Sequence, residues 1–380
     1  MTEQLETIED TAGLDRLRPE WDALLEASDT DGLFLTPEWL FTWWKHLGDG
    51  HRLRVVTVRA GGELVAVAPF VVRPARLDRQ PSFRCLELLG SGEVGSDYLD
   101  VIVRRGHEAQ AVGALADGLA SGREVVALRR LRRSPCFAAT LASALARSGW
   151  TVVDGDDESS RFIRFGGASF AGYLAGLGSA HRQAFRRKLR GLERRHRVEL
   201  ERVDGEAGRP AGMAALVALH QERWRGLARS EAFSRPELVS FHEEMSRLAL
   251  TRGWLRLFLL RVDGAPVAAL HGYRYRDVFY YYQSGYDPAF ARHSVGLVLL
   301  GLAIRSAIEE GVVEFDLLHG EERYKRHWAR QARPLHRLEL YPPGARGWLY
   351  RGATVASRCA RRLARAVISR PRAARLGGRP

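Results

Sequence analysis

The sequence predicts an α/β protein made of two related halves, and three observations support this. Residues 53–68 (LRVVTVRAGGELVAVA) and 255–270 (LRLFLLRVDGAPVAAL) are identical at six of sixteen positions, at a constant offset of 202. Each segment has the β-branched flanks and the glycine turn that are typical of a β-hairpin. A helical stretch and a further strand follow in both halves. We interpret this order as a duplicated α/β domain; chance likeness between two hairpins is the alternative.

The elements that follow the hairpins predict the same architecture twice. In the first half, helical residues 108–120 precede the strand VVALRRL at 125–131. In the second half, an aromatic strand, VFYYYQSGY, leads to helical residues 295–310 and then to the strand VVEFDLL. We therefore expect each half to form a mixed, mostly antiparallel sheet with flanking helices, with boundaries at 1–160 and 161–345.

An arginine-rich helical region joins the halves. Between residues 174 and 196, mostly apolar side chains recur every three or four positions, and arginines fall largely on the other face. Most of these arginines are expected to be solvated. Arg186 and Arg187 are candidates for binding an anionic acceptor, because guanidinium groups bind phosphate in a bidentate manner. Trp224, in the later segment LHQERW, is a further candidate for that site.

The positive charge belongs mainly to the end of the chain. The net charge is +13, but residues 344–380 contain ten arginines and no acidic residue, which leaves +3 for the rest. Residues 346–380 predict a cationic amphipathic helix that suits an anionic membrane surface. A terminal helix packed on its own domain is the alternative. Nucleic acid is a less expected partner, because the tail lacks interleaved aromatic residues for stacking on bases.

Composition and cysteine usage favour a cytoplasmic protein, with peripheral attachment to the inner face of the cell membrane through the tail. Hydrophobic residues make up 46% and charged residues 27% of the chain, which is typical of a globular protein. The first ten residues are acidic, and no apolar run is long enough for a membrane span. Cys85, Cys136 and Cys359 form no CxxC pair. No histidine or cysteine spacing predicts a metal site.

A candidate anion site precedes the second-half helix. Ser294 is a plausible N-cap, and Gly296 would let a ligand approach the backbone. Free amides at Val295 and Gly296, together with Arg292 and His293, predict binding of a pyrophosphate. No GK[ST] follows, so the segment is not a Walker loop.

In this order the segments resemble the GNAT acyltransferases, more specifically the CelD/BcsL-type acetyltransferases linked to cellulose and polysaccharide biosynthesis. The matching motifs, between residues 178 and 328, are RRKLRGLERR, LHQERW, YYQSGYDP, SVG and FDLLHGEERYKRHW. The first half matches more weakly, in LFLTPEWLFTWWKHLG. The family is also similar to the FemAB-type peptidoglycan aminoacyltransferases. The resemblance implies two tandem GNAT-like domains, with an acyl-CoA lying between the strands YYYQSGYDP and VVEFDLL.

The resemblance also implies roles for residues at those strand ends. A main-chain donor to the thioester carbonyl is expected near Gln283, Ser284 and Gly285. Asp316 and His319 are candidate bases. The ordinary pKa of a histidine side chain is better suited than that of an aspartate to proton transfer at neutral pH, which favours His319. The remaining candidates are Tyr324 as acid for the leaving thiolate, Lys325 for an anionic group of the acceptor, and Tyr281, Tyr286 and Trp328 for acceptor contacts. The structural alternatives are a turn cap for Asp316, a turn residue for His319, and core aromatics for Tyr324 and Trp328.

The expected function is N-acetyl transfer from acetyl-CoA or another acyl-CoA to an amino sugar or related precursor of a polysaccharide or the cell envelope. The acceptor would be a small or lipid-linked molecule. Transfer would be direct, because no cysteine lies within the motif region to carry the acyl group. Two alternatives stay open. One is a FemAB-like transferase that uses aminoacyl-tRNA on a peptidoglycan precursor, and the other is a non-catalytic, membrane-associated assembly factor.

Overall fold

A computed structural model describes residues 3–73, 84–225 and 232–368. Its strands β1 to β13 are Glu3–Ile8, Arg52–Ala60, Glu63–Arg73, Cys85–Leu88, Ile102–Val103, Val125–Leu131, Thr151–Arg164, Val198–Val203, Leu255–Val262, Ala265–Tyr275, Val278–Tyr286, Glu314–His319 and Gln331–Tyr341. Its helices α1 to α11 are Thr11–Glu26, Pro37–Leu47, Glu108–Ala120, Phe137–Arg147, Phe170–Gly176, Ser179–Glu193, Arg209–Trp224, Pro236–Thr251, Val295–Glu309, Arg323–Trp328 and Ala345–Ile368.

Within the described ranges, the strands form one continuous mixed sheet. Its order is β1-β2-β3-β4-β6-β13-β7-β12-β11-β10-β9-β8, and β5 pairs with β3 beyond β4. Most neighbours are antiparallel, while β4 with β6 and β11 with β12 are parallel. Helices cover both faces of this sheet. The predicted α/β class with a mixed, mostly antiparallel sheet and flanking helices is confirmed.

The two halves repeat each other in the order hairpin, strand, helix, strand, as the sequence predicted. The hairpins β2–β3 and β9–β10 have antiparallel registers. Their turns carry glycines with the same left-handed φ of +87°, at Gly62 and Gly264. A side chain at either position would be strained, which explains why the turns share this residue.

The halves exchange their last strands. The last strand of the first half, β7, pairs with β12 of the second half. The last strand of the second half, β13, lies between β6 and β7. The expected boundary at residues 160 and 161 therefore falls inside β7, and the two halves share one sheet through their closing strands.

The aromatic strand β11 contributes to the hydrophobic cores on both faces of the sheet. Tyr280 and Tyr282 belong to a core that also contains α1–α4, α7 and α8, whereas Phe279 and Tyr281 face a core with α5, α6 and α9. This alternation follows from the two-residue period of a strand. It fixes α7 and α9 on opposite faces of the sheet, on either side of β11.

The arginine-rich region forms two helices, α5 and α6, and not one. Phe185 and Leu192 of α6 are buried, while Arg186 and Arg187 on its other face are exposed. The predicted amphipathic character of this region is therefore visible in α6. The tail forms α11, and its last twelve residues, 369–380, lie outside the described residues.

Candidate active site

Strands β11 and β12 part to form a V-shaped opening. They pair in parallel only at Val278–Glu314, Phe279–Phe315 and Tyr280–Asp316. Beyond Tyr280, β11 continues for six residues without β12 beside it. Its register with β10 also shifts at His271/Gly272, so that Tyr282 is the extra residue of a bulge. Peptide groups of β11 are consequently left without a strand partner on the side that faces the opening.

A polar pocket occupies this opening and draws on both halves of the chain. Its walls come from α7, from β11 and β12, from α10 with the loop before it, and from one residue of the first half. The lining residues are Gly95, His220, Arg223, Trp224, Tyr281, Tyr282, Gln283, Ser284, Leu317, Leu318, His319, Glu322, Tyr324 and Lys325. The structure thus brings together, around one pocket, seven residues that the sequence predicted: Trp224, Tyr281, Gln283, Ser284, His319, Tyr324 and Lys325.

The side chain of His319 stands at the end of β12 and is held by Asp97. The Asp97 carboxylate is fully buried, and its Oδ2 accepts the backbone N–H of His319 at 2.7 Å. Its Oδ1 lies 2.7 Å from Nδ1 of the imidazole, an ion-pair contact that is not aligned as a hydrogen bond. The imidazole is 26% exposed, and a Cβ on Gly95 would lie 3.2 Å from its Cε1. His319 therefore reaches the pocket with one carboxylate behind it.

Asp316, the other candidate base, is fully buried and lies behind the pocket wall. Its carboxylate accepts hydrogen bonds from Tyr98 Oη at 2.8 Å, from Ser160 Oγ at 2.7 Å and from the N–H of Leu318 at 2.8 Å. Burial raises the pKa of Asp316, and the Arg333 guanidinium opposes that shift. Through these contacts, Asp316 fixes the end of β12 against the first half.

Lys325 is almost completely buried, and its charge is already partnered. Its ammonium donates to the carbonyl oxygens of His319 and Leu318 and lies 3.0 Å from the Glu322 carboxylate. The turn that it caps contains Leu318 with a left-handed φ of +57°. The contacts of Lys325 thus stabilise the turn on which His319 stands.

A chain of hydroxyl groups runs along the other wall of the pocket. Tyr324 Oη lies 3.4 Å from Tyr281 Oη, which lies 2.6 Å from Ser284 Oγ. Arg223 Nη1 donates to Ser284 Oγ at 3.1 Å. Burial raises the pKa of Tyr324 well above its usual range, with further contributions from Tyr281 and Glu322. Tyr324 therefore keeps its proton at neutral pH.

The packing of α7 against β11 explains the roles of two further residues, His220 and Gly285. Burial lowers the pKa of His220 to about 4, so its imidazole is neutral at pH 7, and Nδ1 contacts the Ser284 carbonyl at 3.0 Å. A Cβ on Gly285 would lie 2.3 Å from the backbone nitrogen of His220. Gly285 is thus required for close packing of helix and strand, and it lines the back of β11 and not the pocket.

The start of α9 forms an electropositive ledge at the far end of β11. Ser294 has a left-handed φ of +56°, and its carbonyl accepts the N–H groups of Leu297 and Val298. The amides of Val295 and Gly296 have no hydrogen-bond partner within the described ranges. The Gly296 α-carbon lies against Tyr286, since a Cβ there would be 3.4 Å from the Tyr286 ring. Successive free amides of this kind form an anion-binding concavity.

Cationic side chains surround this ledge. Lys188 of α6 donates to the Arg292 carbonyl at 2.5 Å, and Arg292 Nε lies 3.1 Å from His293 Nε2. Burial lowers the pKa of His293, and Arg292, Arg195 and Lys188 add to that shift. The predicted anion site at Arg292, His293, Ser294, Val295 and Gly296 therefore combines free amides with a positive potential.

The residues predicted for acceptor contacts lie in different places. Trp224 lines the pocket, and its indole N–H has no partner among the described residues. Arg223 lies over the Tyr286 ring at 5.2 Å. Trp328 is buried in the core against Phe185 and His181. Arg186 and Arg187 lie on the exposed face of α6, apart from the pocket lining.

Sequence reasoning missed Asp97, His220, Arg223 and Glu322. Asp97 lies in the segment LLGSGEVGSDYLD, whose glycines and acidic residues break the pattern of the first half. That break was the available signal.

The described ranges contain no group of three or more His, Cys, Asp or Glu side chains placed to hold a metal ion. They also contain no helix that is both long and apolar enough to cross a membrane.

Comparison with known proteins agrees with this geometry. Residues 179–326 match the family described as Acetyltransferase (GNAT) domain. The chain carries a GNAT-type acetyltransferase domain. The match spans the opening between β11 and β12, the start of α9 and His319. The predicted enzyme class, an acyltransferase, is confirmed for this GNAT domain.

Solved structures share the fold of the whole chain at low identity. FemX is 13% identical, with 88% of this chain and 96% of that chain covered and a TM-score of 0.59. The C-terminal domain of a putative lysylphosphatidylglycerol synthetase from Agrobacterium fabrum is 12% identical, with coverages of 90% and 96% and a TM-score of 0.52. L-PGS from Bacillus licheniformis is 13% identical, with coverages of 92% and 96% and the same TM-score. A sequence search against curated proteins found no match.

Proposed function

We propose that this protein transfers an acyl group from an acyl-CoA to the amine of an amino sugar or a related precursor of a polysaccharide or the cell envelope. The observation that carries the proposal is the opening between β11 and β12. A pocket that contains His319 and Tyr324 lies at this opening, and the cationic ledge at the start of α9 lies past the end of β11.

The ledge and β11 would hold the donor. The free amides of Val295 and Gly296, with Arg292 and Lys188 nearby, suit the pyrophosphate of CoA. Peptide groups of β11 near Gln283 and Ser284 have no strand partner on the open side, so an N–H there is available to the oxygen of the thioester carbonyl. A donor at that place stabilises the charge that develops on the oxygen.

His319 and Tyr324 would move the protons. His319 takes a proton from the attacking amine, the nitrogen forms a bond to the thioester carbon, and the C–S bond breaks. Tyr324 gives its proton to the departing thiolate, and the proton that His319 took up returns to Tyr324 through solvent. The products are an amide and free CoA. Asp316 and Lys325 support the turn at His319 through the contacts described above, without touching the reacting atoms.

The test is isothermal titration with acetyl-CoA, followed by thiol release over a panel of amines that includes glucosamine and its phosphates. We expect saturable binding and thiol release that depends on an amine. Absence of both would remove the proposal. The FemAB-like alternative offers one rival donor, an aminoacyl-tRNA. Binding of aminoacyl-tRNA that weakens steeply with salt, without binding of acetyl-CoA, would select that rival.

We further infer that α11 attaches the protein to an anionic membrane surface. Trp348, Leu349 and Val355 on this helix are 76%, 60% and 52% exposed, and they account for most of the large hydrophobic side chains that are exposed within the described ranges. Residues 344–380 add ten arginines and no acidic residue. An apolar stripe with flanking cations is typical of interfacial helices.

Sedimentation with vesicles tests this attachment. We expect binding to vesicles that contain phosphatidylglycerol and little binding to neutral ones. Replacing Trp348, Leu349 and Val355 together by serine should abolish sedimentation while leaving acetyl-CoA binding intact. Equal sedimentation of the triple variant would contradict the inference.

A further inference from the structure

The carboxylate behind the His319 imidazole lies outside the GNAT domain, because it comes from the first half. Asp97 belongs to residues 89–101, which leave the sheet between β4 and β5 and reach the end of β12. It is separated from His319 by 222 positions in the sequence. We propose that Asp97 is a positioning residue that fixes the ring of His319 for proton transfer, so that the first half completes the active site. This role rests on the proposed function of His319.

Both oxygens of the Asp97 carboxylate contact His319, which distinguishes this arrangement from an incidental ion pair. One carboxylate oxygen accepts the backbone N–H of His319, and the other faces Nδ1, each at 2.7 Å. A carboxylate beside Nδ1 favours the tautomer with the proton on that atom. Nε2 is then left with its lone pair free to accept a proton. Gly95, two residues before Asp97, leaves the space beside the ring into which a side chain would project.

Backbone strain is concentrated around this contact. Tyr98, next to Asp97, and Leu318, next to His319, have left-handed φ values of +62° and +57°. Arg130 has a φ of +54°, and its carbonyl accepts the N–H of Tyr98. Such conformations are unfavourable for non-glycine residues and persist where the surroundings enforce them. Strain on both sides of one carboxylate–imidazole contact indicates that the contact is built for function.

Hydrogen bonds and ion pairs around Tyr98 and Leu318 stabilise their strained backbone conformations. Tyr98 donates its hydroxyl to the buried Asp316, which also accepts the N–H of Leu318. Arg130 Nε lies 4.0 Å from Asp97 Oδ1, and Lys325 fixes the carbonyl of His319. Both strained turns are therefore tied to the same buried network. A shift of residues 89–101 would move the imidazole with it.

The test uses the full chain with Asp97→Asn, which keeps the size of the side chain but weakens its hold on an Nδ1 proton. Imidazole ¹⁵N spectra at about pH 9, where a free imidazole is neutral, report the tautomer. Loss of one signal set in His319→Gln assigns the resonance among the twelve histidines. We expect the Nδ1–H form in the wild type and a mixture in Asp97→Asn. An unchanged tautomer would overturn the proposal, whether or not any amine is acylated.

Kinetics supply the second readout, with the best amine of the panel. Asp97→Asn should lower kcat about 100-fold while leaving the KM for acetyl-CoA unchanged, and it should add little when combined with His319→Gln. Asp154→Asn is the matched control, because Asp154 contacts a different imidazole, that of His336, at 3.1 Å outside the pocket. A kcat for Asp97→Asn that equals that of Asp154→Asn would also overturn the proposal. Thermal unfolding of all variants separates these effects from loss of the fold.

Discussion

The two halves begin their equivalent helices in opposite ways. Helix α3 starts at Glu108, whose carboxylate accepts the N–H of Gly106 at 2.9 Å, so an acidic side chain already occupies the helix start. Helix α9 starts with free amides and is surrounded by Arg292 and Lys188, with no acidic residue in its first turn. An anionic ligand would be repelled at α3 and attracted at α9. One fold has therefore produced one helix start that is closed to anions and one that is open.

The strands before these two helices also differ, because one is continuous and the other is interrupted. Strand β11 runs without interruption past the end of its pairing with β12. In the first half, β4 and β5 occupy the matching position beside β3, but residues 89–101 interrupt them. That interruption removes the opening and delivers Asp97 to the second half. The first half therefore has no equivalent of the β11–β12 opening among its described residues, and it supplies Asp97 to the opening of the second half.

The largest expected effect comes from removing the proposed base. His319→Gln should lower kcat by about 10²- to 10⁴-fold, because general base catalysis typically contributes that much. Acetyl-CoA binding should be unchanged, since the ledge at α9 is intact. Thiol-release kinetics and calorimetry measure the two quantities. His327→Gln is the control, because His327 is exposed and lies outside the pocket lining. A kcat within threefold of the wild type would contradict the role of His319.

A carboxylate at the start of α9 should reproduce the closed state of α3. Gly296→Asp is expected to weaken acetyl-CoA binding about 10- to 100-fold, because a negative charge would face the pyrophosphate. Gly296→Asn has nearly the same size and should bind much more tightly than Gly296→Asp. A Cβ at this position would meet only ordinary van der Waals contact with Tyr286, so both variants should fold. Equal dissociation constants for the two variants would show that charge at this place is irrelevant.

Acid sensitivity should originate in the second half. Burial lowers the pKa of both His242 and His271 to about 3, and neither ring nitrogen of His271 has a partner among the described residues. The unfolded chain therefore binds more protons below about pH 6.5, and stability is lost as the pH falls from there toward 3. His271→Leu should reduce this loss by up to about 1.4 kcal/mol per pH unit.

Urea unfolding at pH 7, 6 and 5 measures that slope. The partly exposed His107 of the first half provides the control, since His107→Gln should leave the slope unchanged. A slope that is the same for His271→Leu and the wild type would place the acid-sensitive groups elsewhere.

The smallest effect concerns the closed helix start. Backbone hydrogen bonds lower the pKa of Glu108, so its stabilising contribution is present above the usual carboxyl range and is lost as the pH falls through the lowered pKa. Glu108→Gln should reduce stability at pH 7 by less than about 1 kcal/mol. It should not create a second acetyl-CoA site, because the two arginines that precede α3, Arg104 and Arg105, are already paired with Glu63 and Asp29. Chemical denaturation and calorimetry report both results.

Local patterns in the sequence predicted much of the fold and of the ledge. The two hairpins, the helix at 108–120 and the start of α9 depend on neighbouring residues, so periodicity and glycine positions were sufficient. The exchange of β7 and β13 was not predictable, because strand partners depend on contacts across the whole chain. Asp97 was missed for the same reason. The sequence also contained no sign that Asp316 would be buried and would accept a hydrogen bond from Tyr98 of the first half.

Calorimetric titration of the full chain with acetyl-CoA tests the central claim most directly, because it counts donor sites. We predict one site per chain, weakened strongly in Gly296→Asp and only slightly in Gly296→Asn. A stoichiometry of two, with one site surviving in Gly296→Asp, would contradict the closure of the first half. Absence of binding to the wild type would contradict the assignment of the α9 ledge as a donor site.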